Sequence, residues 1–162
     1  FIKRLLQMEL EEKVRKLIIN ELFSKYVTKD EESFSRELYM DIDQMKCMLR
    51  NGMYIGGHGN KHDWLDKLPL VKQENEVNET LKFLRKVGVP MKDWVMAYPY
   101  GVYNDSLIEI LKKSGCALAF TTKVDIANLT KENAYTLERL DTNDFPKSGV
   151  RRPNHWTRKI MN

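Results

Sequence analysis

The chain has 162 residues, of which 42% are hydrophobic and 31% are charged, and its formal net charge is +4. This length suits one domain with a single core and is too short for two ordinary domains. No apolar run approaches the roughly 20 residues that a membrane-spanning helix needs, which excludes a membrane span. The charged start at residues 1–6 lacks both an initiator Met and the apolar core of a signal peptide. We therefore expect the chain to begin partway through a longer protein, and we expect a cytoplasmic location.

The first part of the chain is predicted to be helical. Apolar residues recur there at three- and four-residue steps, with Glu and Lys between them. These residues are Leu6, Leu10, Val14, Leu17, Ile18 and Leu22. Because such a stripe has to be buried against something, we expect the stripe or exposed strand edges to drive assembly into a homo-oligomer.

A second helical stretch follows the polar break at residues 28–30. Within it, the run Asp41-Ile42-Asp43-Gln44 is a variant of the capping box, in which side chains of the first turn bond to backbone N–H groups. This run predicts a short helix through Leu49 that ends at Gly52, a residue that tolerates left-handed backbone.

From Met53 onward the pattern alternates between strands and helices. Strands are predicted at residues 53–55, 94–98, 116–122 and 135–140. The helices between them are marked by apolar faces that contain Val77, Leu81 and Leu84, and Leu107, Ile108 and Leu111. This alternation predicts parallel strands joined by crossover helices, and hence an α/β layer or barrel. In such folds the functional groups gather where the strands end.

His58 and His62 follow the first of these predicted strands. Two imidazoles four residues apart can bind one metal ion from a helical turn or a tight loop, and zinc accepts such nitrogen ligands. The pair does not match the helical zinc-protease signature, because Gly59 stands where that signature has Glu. The spacing alone therefore leaves open both a metal site and a polar loop that caps the next helix.

A second candidate is the loop Ala97-Tyr98-Pro99-Tyr100-Gly101, which ends the next strand. Pro99 restricts the backbone and Gly101 frees it, so the loop can direct a backbone N–H into a pocket, where it would stabilise an oxyanion. The alternative is an ordinary turn with an aromatic lid. Arg139 ends the last predicted strand and could bind substrate, although a surface ion pair is equally compatible.

Taken in order, these segments resemble the polysaccharide deacetylases of carbohydrate esterase family four, the nodulation-factor-deacetylase homology group. The run Ile55–His62 is similar to the family motif His-(Ser/Thr)-x-x-His after a Gly-rich turn, and Ala97–Gly101 is similar to Arg-x-Pro-Tyr-Gly. Residues 119–122 are similar to the strand that follows the helix after the second of these motifs. The resemblance extends from around residue 38 to around residue 145.

The resemblance implies a partial or distorted (β/α) barrel with an amino-terminal helical segment. It implies a hydrolase that removes acetyl groups from N-acetylated sugars of surface polysaccharide or lipopolysaccharide. The metal would be a divalent ion, with zinc as the expected one, held by His58 and His62, and the backbone N–H of Tyr100 would act catalytically in the oxyanion hole. The residues expected to bind the N-acetylated carbohydrate are Tyr98, Pro99 and Arg139.

The sequence also departs from the family pattern. The segment Thr-Phe-Asp-Asp-Gly, which supplies the catalytic base and the third metal ligand in the family, has no counterpart, and we expect it to lie before Phe1. Gly59 replaces the usual Ser or Thr, Ala97 replaces the Arg that steadies the base, and the late Leu-x-His motif is not recognisable. We therefore expect a metal half-site without deacetylase activity in this chain alone. The carboxylates that could complete the site are Asp63, Asp141 and Asp144.

The predicted organisation is a helical insertion or flank at residues 1–37, a deacetylase-like portion at 38–150 and a basic, solvated tail at 151–162. Cys47 and Cys116 are interpreted as two buried thiols in a reducing compartment, in preference to a disulfide. The alternative function is a non-catalytic glycan-binding or scaffolding relative of the same fold. A basic nucleic-acid-binding protein is a weaker alternative, because the charge is not gathered on one helix, and we expect no nucleic-acid partner.

Overall fold

The structure is a computed structural model that describes residues 1–150 and 152–161. Arg151 of the predicted basic tail therefore lies outside the described residues, as does Asn162. The chain divides into two compact units, Phe1–Gln44 and a second unit from Met45 onward. Among the described helices, none combines the length and the apolar character that crossing a bilayer requires.

The amino-terminal unit is helical, as predicted. It comprises α1 (Ile2–Arg4), a π-helical turn (Leu5–Glu9), α2 (Glu12–Tyr26), α3 (Glu31–Leu38) and the start of α4 (Ile42–Arg50). Helix α4 begins at the predicted capping box, which is confirmed in both directions. Oδ1 of Asp41 accepts the N–H of Gln44 at 2.7 Å, and Oε1 of Gln44 accepts the N–H of Asp41 at 2.9 Å. The backbone N–H groups of Asp41 and Gln44, which have no acceptor within the helix, thereby each gain a side-chain acceptor.

The apolar stripe predicted along the first helices is not buried within the chain. Helix α2 contains no buried residue, and the side chains of Leu17 and Val14 are 65% and 41% exposed. Leu10 has extended backbone (φ −79°, ψ 141°) and separates the π-helical turn from α2. The residues of the stripe therefore do not form one continuous helical face.

The second unit contains parallel strands with helices between them. After the 3₁₀ turn Leu65–Lys67, its elements are α5 (Leu70–Val87), β1 (Trp94–Ala97), the 3₁₀ turn Pro99–Gly101, α6 (Asp105–Lys113), β2 (Cys116–Phe120), the 3₁₀ turn Thr142–Asp144 and α7 (His155–Met161). Strands β1 and β2 pair in parallel, with Ala97 opposite Phe120. Isolated parallel bridges join Gly57 to Met96 and Phe120 to Leu137. Four segments therefore run in the same direction, as predicted.

Two of the predicted strands are reduced to these single bridges. Residues 53–55 do not form a strand. Instead, Gly57 donates its N–H to the carbonyl of Val95 at 2.8 Å and accepts the N–H of Ala97 at 2.9 Å. The chain then leaves the sheet, because Gly59 takes the left-handed conformation (φ 77°). The strand predicted at residues 135–140 is likewise a single bridge at Leu137.

The core lies between the parallel segments and helices α5 and α6. The predicted face of α5 is confirmed, since Val77, Leu81 and Leu84 are buried. In α6, Leu107 and Leu111 are buried with them, whereas Ile108 of the predicted face is only half-buried. Helix α5 ends at Gly88 (φ 95°), and α6 begins at Asn104, whose side chain accepts the N–H of Leu107. Both cysteines are free thiols; Cys116 is buried as expected, but Cys47 is exposed, so the expected burial is wrong for Cys47. Burial raises the pKa of the Cys116 thiol to about 12, so this thiol is unreactive at neutral pH.

We predict that Gly101→Ala destabilises the fold more than Gly115→Ala. Both glycines have left-handed backbone, with φ 74° and 76°, which costs an L-residue about 1–2 kcal/mol. A Cβ at Gly101 would also lie 2.5 Å from the backbone nitrogen of Thr122, whereas one at Gly115 would meet no atom within 4 Å. Overpacking adds about 1–3 kcal/mol to the first variant only.

Urea unfolding of the two variants measures this difference in the free energy of unfolding. Equal losses in the two variants would contradict the packing found around Gly101.

Candidate functional site

The side chains of His58 and His62 lie together at the edge of the sheet where strands end. Their ring centroids are 4.9 Å apart, and the ring planes meet at 66°. Both residues are exposed. His58 directly follows the bridge at Gly57, and His62 has left-handed backbone (φ 57°). A non-glycine residue in this conformation is strained, and such strain is typical of functional loops.

The backbone of β1 determines the orientation of the His58 ring. Nδ1 of His58 lies 2.7 Å from the carbonyl oxygen of Ala97, the last residue of β1. A carbonyl oxygen only accepts hydrogen bonds, so Nδ1 must carry the hydrogen. In the neutral ring this leaves the lone pair on Nε2. A backbone carbonyl that fixes one ring nitrogen in this way is typical of histidines that bind metal through the other nitrogen.

The two imidazoles fit a divalent cation as two of its ligands. Zinc–nitrogen bonds of about 2.0–2.1 Å in tetrahedral geometry place two ligand rings with their centroids roughly 5 Å apart. The observed separation is 4.9 Å. Among the described residues, no third protein ligand accompanies the two imidazoles. In the part of the chain that the structure describes, no three side chains of His, Cys, Asp or Glu are grouped so that they could hold a metal.

Among the described residues, none of the carboxylates predicted to complete the site forms a three-ligand group with the histidines. Asp141 accepts the N–H of Asn143 at 2.8 Å, and Asp144 accepts the N–H of Asp141 at 2.6 Å. These bonds form a capping box at the turn Thr142–Asp144. Asp63 likewise belongs to no three-ligand group among the described residues. Within residues 1–150 and 152–161, His58 and His62 are therefore paired without a third candidate ligand, and their role as metal ligands stays a prediction.

Tyr100 connects the second predicted motif to the histidines. Its ring contacts His62 edge to face, with centroids 4.7 Å apart, and stacks on Trp64 at 4.3 Å with an interplanar angle of 7°. His58 and Tyr100 thus follow neighbouring parallel segments at the same edge of the sheet, as the alternating pattern predicted. Tyr100 also has left-handed backbone (φ 57°, ψ 3°), the second such non-glycine residue at this edge.

The backbone of Tyr100 suits the predicted oxyanion role. Its carbonyl accepts a hydrogen bond from the hydroxyl of Thr122 at 3.3 Å. Its N–H donates to none of the described residues. A backbone N–H without an internal partner beside two imidazoles is available to an oxyanion. The catalytic role itself stays a prediction.

Tyr98 and Pro99 were predicted to bind substrate, but the structure places both side chains in the core. Tyr98 is fully buried because it continues the inward-facing alternation of Trp94 and Met96 on β1. Its hydroxyl donates to the carbonyl of Tyr135 at 3.0 Å, and burial raises its pKa above the ordinary value, so it remains a donor. These two side chains support the Tyr100 loop from within.

Arg139 is exposed, and its backbone N–H donates to the carbonyl of Lys123 at 3.1 Å. The contacts of the described residues do not join it to either imidazole. Its role in substrate binding stays a prediction.

Two residues of this site were missed by the sequence analysis. One is Trp64, which stacks on Tyr100. The other is Glu76 of α5, which is only 3% exposed and accepts the N–H groups of Asn60 and Lys61 at 2.8 and 2.9 Å. A signal for Glu76 existed in the sequence. The polar residues Gln73, Glu76 and Thr80 recur at helical spacing beside the apolar face of α5 and are buried with it.

The sheet edge beside His58 is open in the described part of the chain. The N–H and C=O of Gly57 bond to β1. The neighbouring backbone groups are the N–H and C=O of Gly56 and His58. They bond to no described backbone group. A pocket of about 360 Å³ lies here, lined by residues 55–60 and by Glu79, Thr80, Phe83 and Leu84 of α5. An unpaired strand edge beside a pocket can accept a further strand.

Comparison with known proteins gives one family. A family model described as polysaccharide deacetylase matches residues 23–119. The chain is 25% identical over 109 residues to YxkH of Bacillus subtilis (strain 168), a candidate polysaccharide deacetylase. The aligned region covers 67% of this chain and 38% of YxkH. It is 30% identical over 82 residues to the poly-β-1,6-N-acetyl-D-glucosamine N-deacetylase of Staphylococcus epidermidis. This second aligned region covers 51% of this chain and 27% of that enzyme. The chain thus spans less than half the length of either relative.

Solved structures show the same fold. The deacetylase PplD of Streptococcus pyogenes, solved with acetate, superimposes with a TM-score of 0.59 at 23% identity, covering 76% of this chain and 57% of PplD. IcaB from Ammonifex degensii superimposes with a TM-score of 0.53 at 25% identity, covering 64% of this chain and 48% of IcaB. These likenesses confirm the predicted partial (β/α) barrel of the polysaccharide deacetylase type.

Proposed function

This chain belongs to the polysaccharide deacetylase family, and we propose that it forms part of an enzyme that hydrolyses the acetamide of N-acetylated sugars in surface polysaccharide or lipopolysaccharide. The observation that carries the proposal is the pair His58 and His62 beside Tyr100, with Nδ1 of His58 lying 2.7 Å from the carbonyl oxygen of Ala97. The Staphylococcus epidermidis relative is named for its action on poly-β-1,6-N-acetyl-D-glucosamine, which supports this class of substrate.

In this proposal His58 and His62 hold a divalent cation, with zinc as the expected one. When bound, such a cation supplies Lewis acidity to a carbonyl and lowers the pKa of water. The chain contributes the rest through its own groups. The Ala97 carbonyl holds the His58 ring, the Tyr100 ring packs against His62, and the Tyr100 N–H is the donor for the oxyanion of the acetamide.

We further infer that the third ligand and the catalytic base come from a segment of the protein outside this chain. Two observations support this inference. Among the described residues, no third donor side chain is grouped with the two imidazoles. The sheet edge next to His58 is unpaired and is bordered by the pocket along α5. A further parallel strand at this edge would end beside His58, where the family's Asp-Asp motif would supply both missing groups.

We predict that this chain alone binds zinc weakly and only through the paired histidines. His58→Ala and His62→Ala should each weaken binding by more than about tenfold, as even outer-shell changes do at metal sites. His155→Ala is the matched control, because His155 lies in α7 and its ring contacts Trp156. Isothermal titration calorimetry with zinc measures the affinity of the unchanged chain and of each of the three variants. An equal loss in the control, or no loss in the paired variants, would contradict the proposed ligands.

We also predict that acetate release from an oligomer of N-acetylglucosamine stays at background with this chain alone. It should rise when the protein is extended by the segment that carries an Asp-Asp pair, and His58→Ala in the extended protein should return it to background. Robust turnover by these residues alone would show that another carboxylate replaces the missing base. Oligomer binding without turnover by the extended protein would instead favour a non-catalytic glycan-binding relative.

A further inference from the structure

Glu76 is a buried carboxylate that faces the loop between the two histidines. Only 3% of the residue is exposed, and its Oε2 accepts the N–H of Asn60 at 2.8 Å and that of Lys61 at 2.9 Å. Among the described residues, no Lys or Arg forms an ion pair with it. Its charge is therefore stabilised by backbone N–H groups, which form charge-assisted hydrogen bonds with a carboxylate.

The loop that carries the histidines is held at each end by other contacts. At its start, Gly57 is bonded to β1, and His58 is bonded to the carbonyl of Ala97. At its end, His62 contacts the ring of Tyr100. Residues 59–61 lie between these two points. Among the described side chains, only Glu76 accepts hydrogen bonds from their backbone N–H groups.

The middle of the loop also lies close to Pro99 and to the same carboxylate. A Cβ at Gly59 would lie 3.2 Å from Cγ of Pro99 and 3.6 Å from Oε2 of Glu76. The loop therefore turns within a narrow space between α5 and the turn after β1. Glu76 fixes two successive N–H groups of this turn, those of Asn60 and Lys61. His58 lies two residues before Asn60, and His62 directly follows Lys61.

We propose that Glu76 is a positioning residue for the His58–His62 pair. Its carboxylate sets the separation of the two imidazoles by holding the N–H groups of Asn60 and Lys61, and it does not itself contact the cation or the substrate. The part of this inference that concerns cation affinity rests on the proposed function. The part that concerns the separation of the two rings does not.

The variant Glu76→Gln tests the inference, because an amide keeps the size of the side chain and removes its charge. Its matched control is Glu74→Gln, which removes the same charge from an exposed position of α5. In Glu76→Gln we expect faster amide exchange at Asn60 and Lys61 and loss of the nuclear Overhauser effect between the His58 and His62 rings. We also expect zinc affinity to fall about 10–100-fold, with less than about a twofold change in the control.

These readouts separate positioning from fold stability, since they are taken on folded protein at a temperature well below the unfolding midpoint of each variant. If Glu76→Gln keeps the ring contact and amide protection of the unchanged chain, the inference is wrong. If the unchanged chain binds no zinc, the proposed cation site fails, and the ring contact and amide exchange still decide the role of Glu76.

Should Glu76→Gln not fold, the unchanged chain provides the test. Slow exchange of the Asn60 and Lys61 amides relative to the amide of Gly59 would support the hydrogen bonds to Glu76. Equally fast exchange at all three amides would overturn the inference.

Discussion

The hydrogen bond from Nδ1 of His58 to the carbonyl of Ala97 connects the sheet to the chemistry of the candidate site. The acceptor belongs to the last residue of β1, whose N–H in turn donates to the carbonyl of Gly57. One backbone position of β1 thus fixes both the residue before His58 and the imidazole itself. Because the carbonyl can only accept, the same bond selects the tautomer whose Nε2 lone pair is free. In the proposed function, binding of a cation through Nε2 depends on this choice.

The parallel arrangement explains why residues distant in sequence meet at this point. Parallel segments end at the same edge of a sheet, so the loops after Gly57 and after β1 leave it side by side. The first loop carries the two histidines, and the second carries Tyr100, whose ring packs on His62. Strained left-handed backbone at His62 and Tyr100 lies at this edge as well, where the surrounding contacts hold it. The fold therefore brings together two imidazoles and the backbone N–H of Tyr100, which donates to none of the described residues.

The sequence predicted features that depend on local patterns. The capping box at Asp41 and the buried face of α5 each follow from residues within one or two helical turns, and each was confirmed. The pairing of His58 with His62 could also be predicted from spacing and from family resemblance. Contacts between distant segments could not be predicted in this way. The bond from Asn60 to Glu76 spans 16 residues, and the burial of Tyr98 depends on the register of β1. Strand lengths were overestimated at residues 53–55 because the pattern does not show where pairing ends.

The tautomer of His58 in the cation-free protein tests the central claim most directly. Long-range proton–nitrogen correlation spectra distinguish a protonated ring nitrogen from one that carries a lone pair, and they do so without any metal. At a pH where the ring is neutral, the bond to Ala97 requires the Nδ1–H form, with an unprotonated Nε2. A spectrum showing the Nε2–H form would contradict this claim, since two lone pairs would then face each other across 2.7 Å and Nε2 would not be available to a cation.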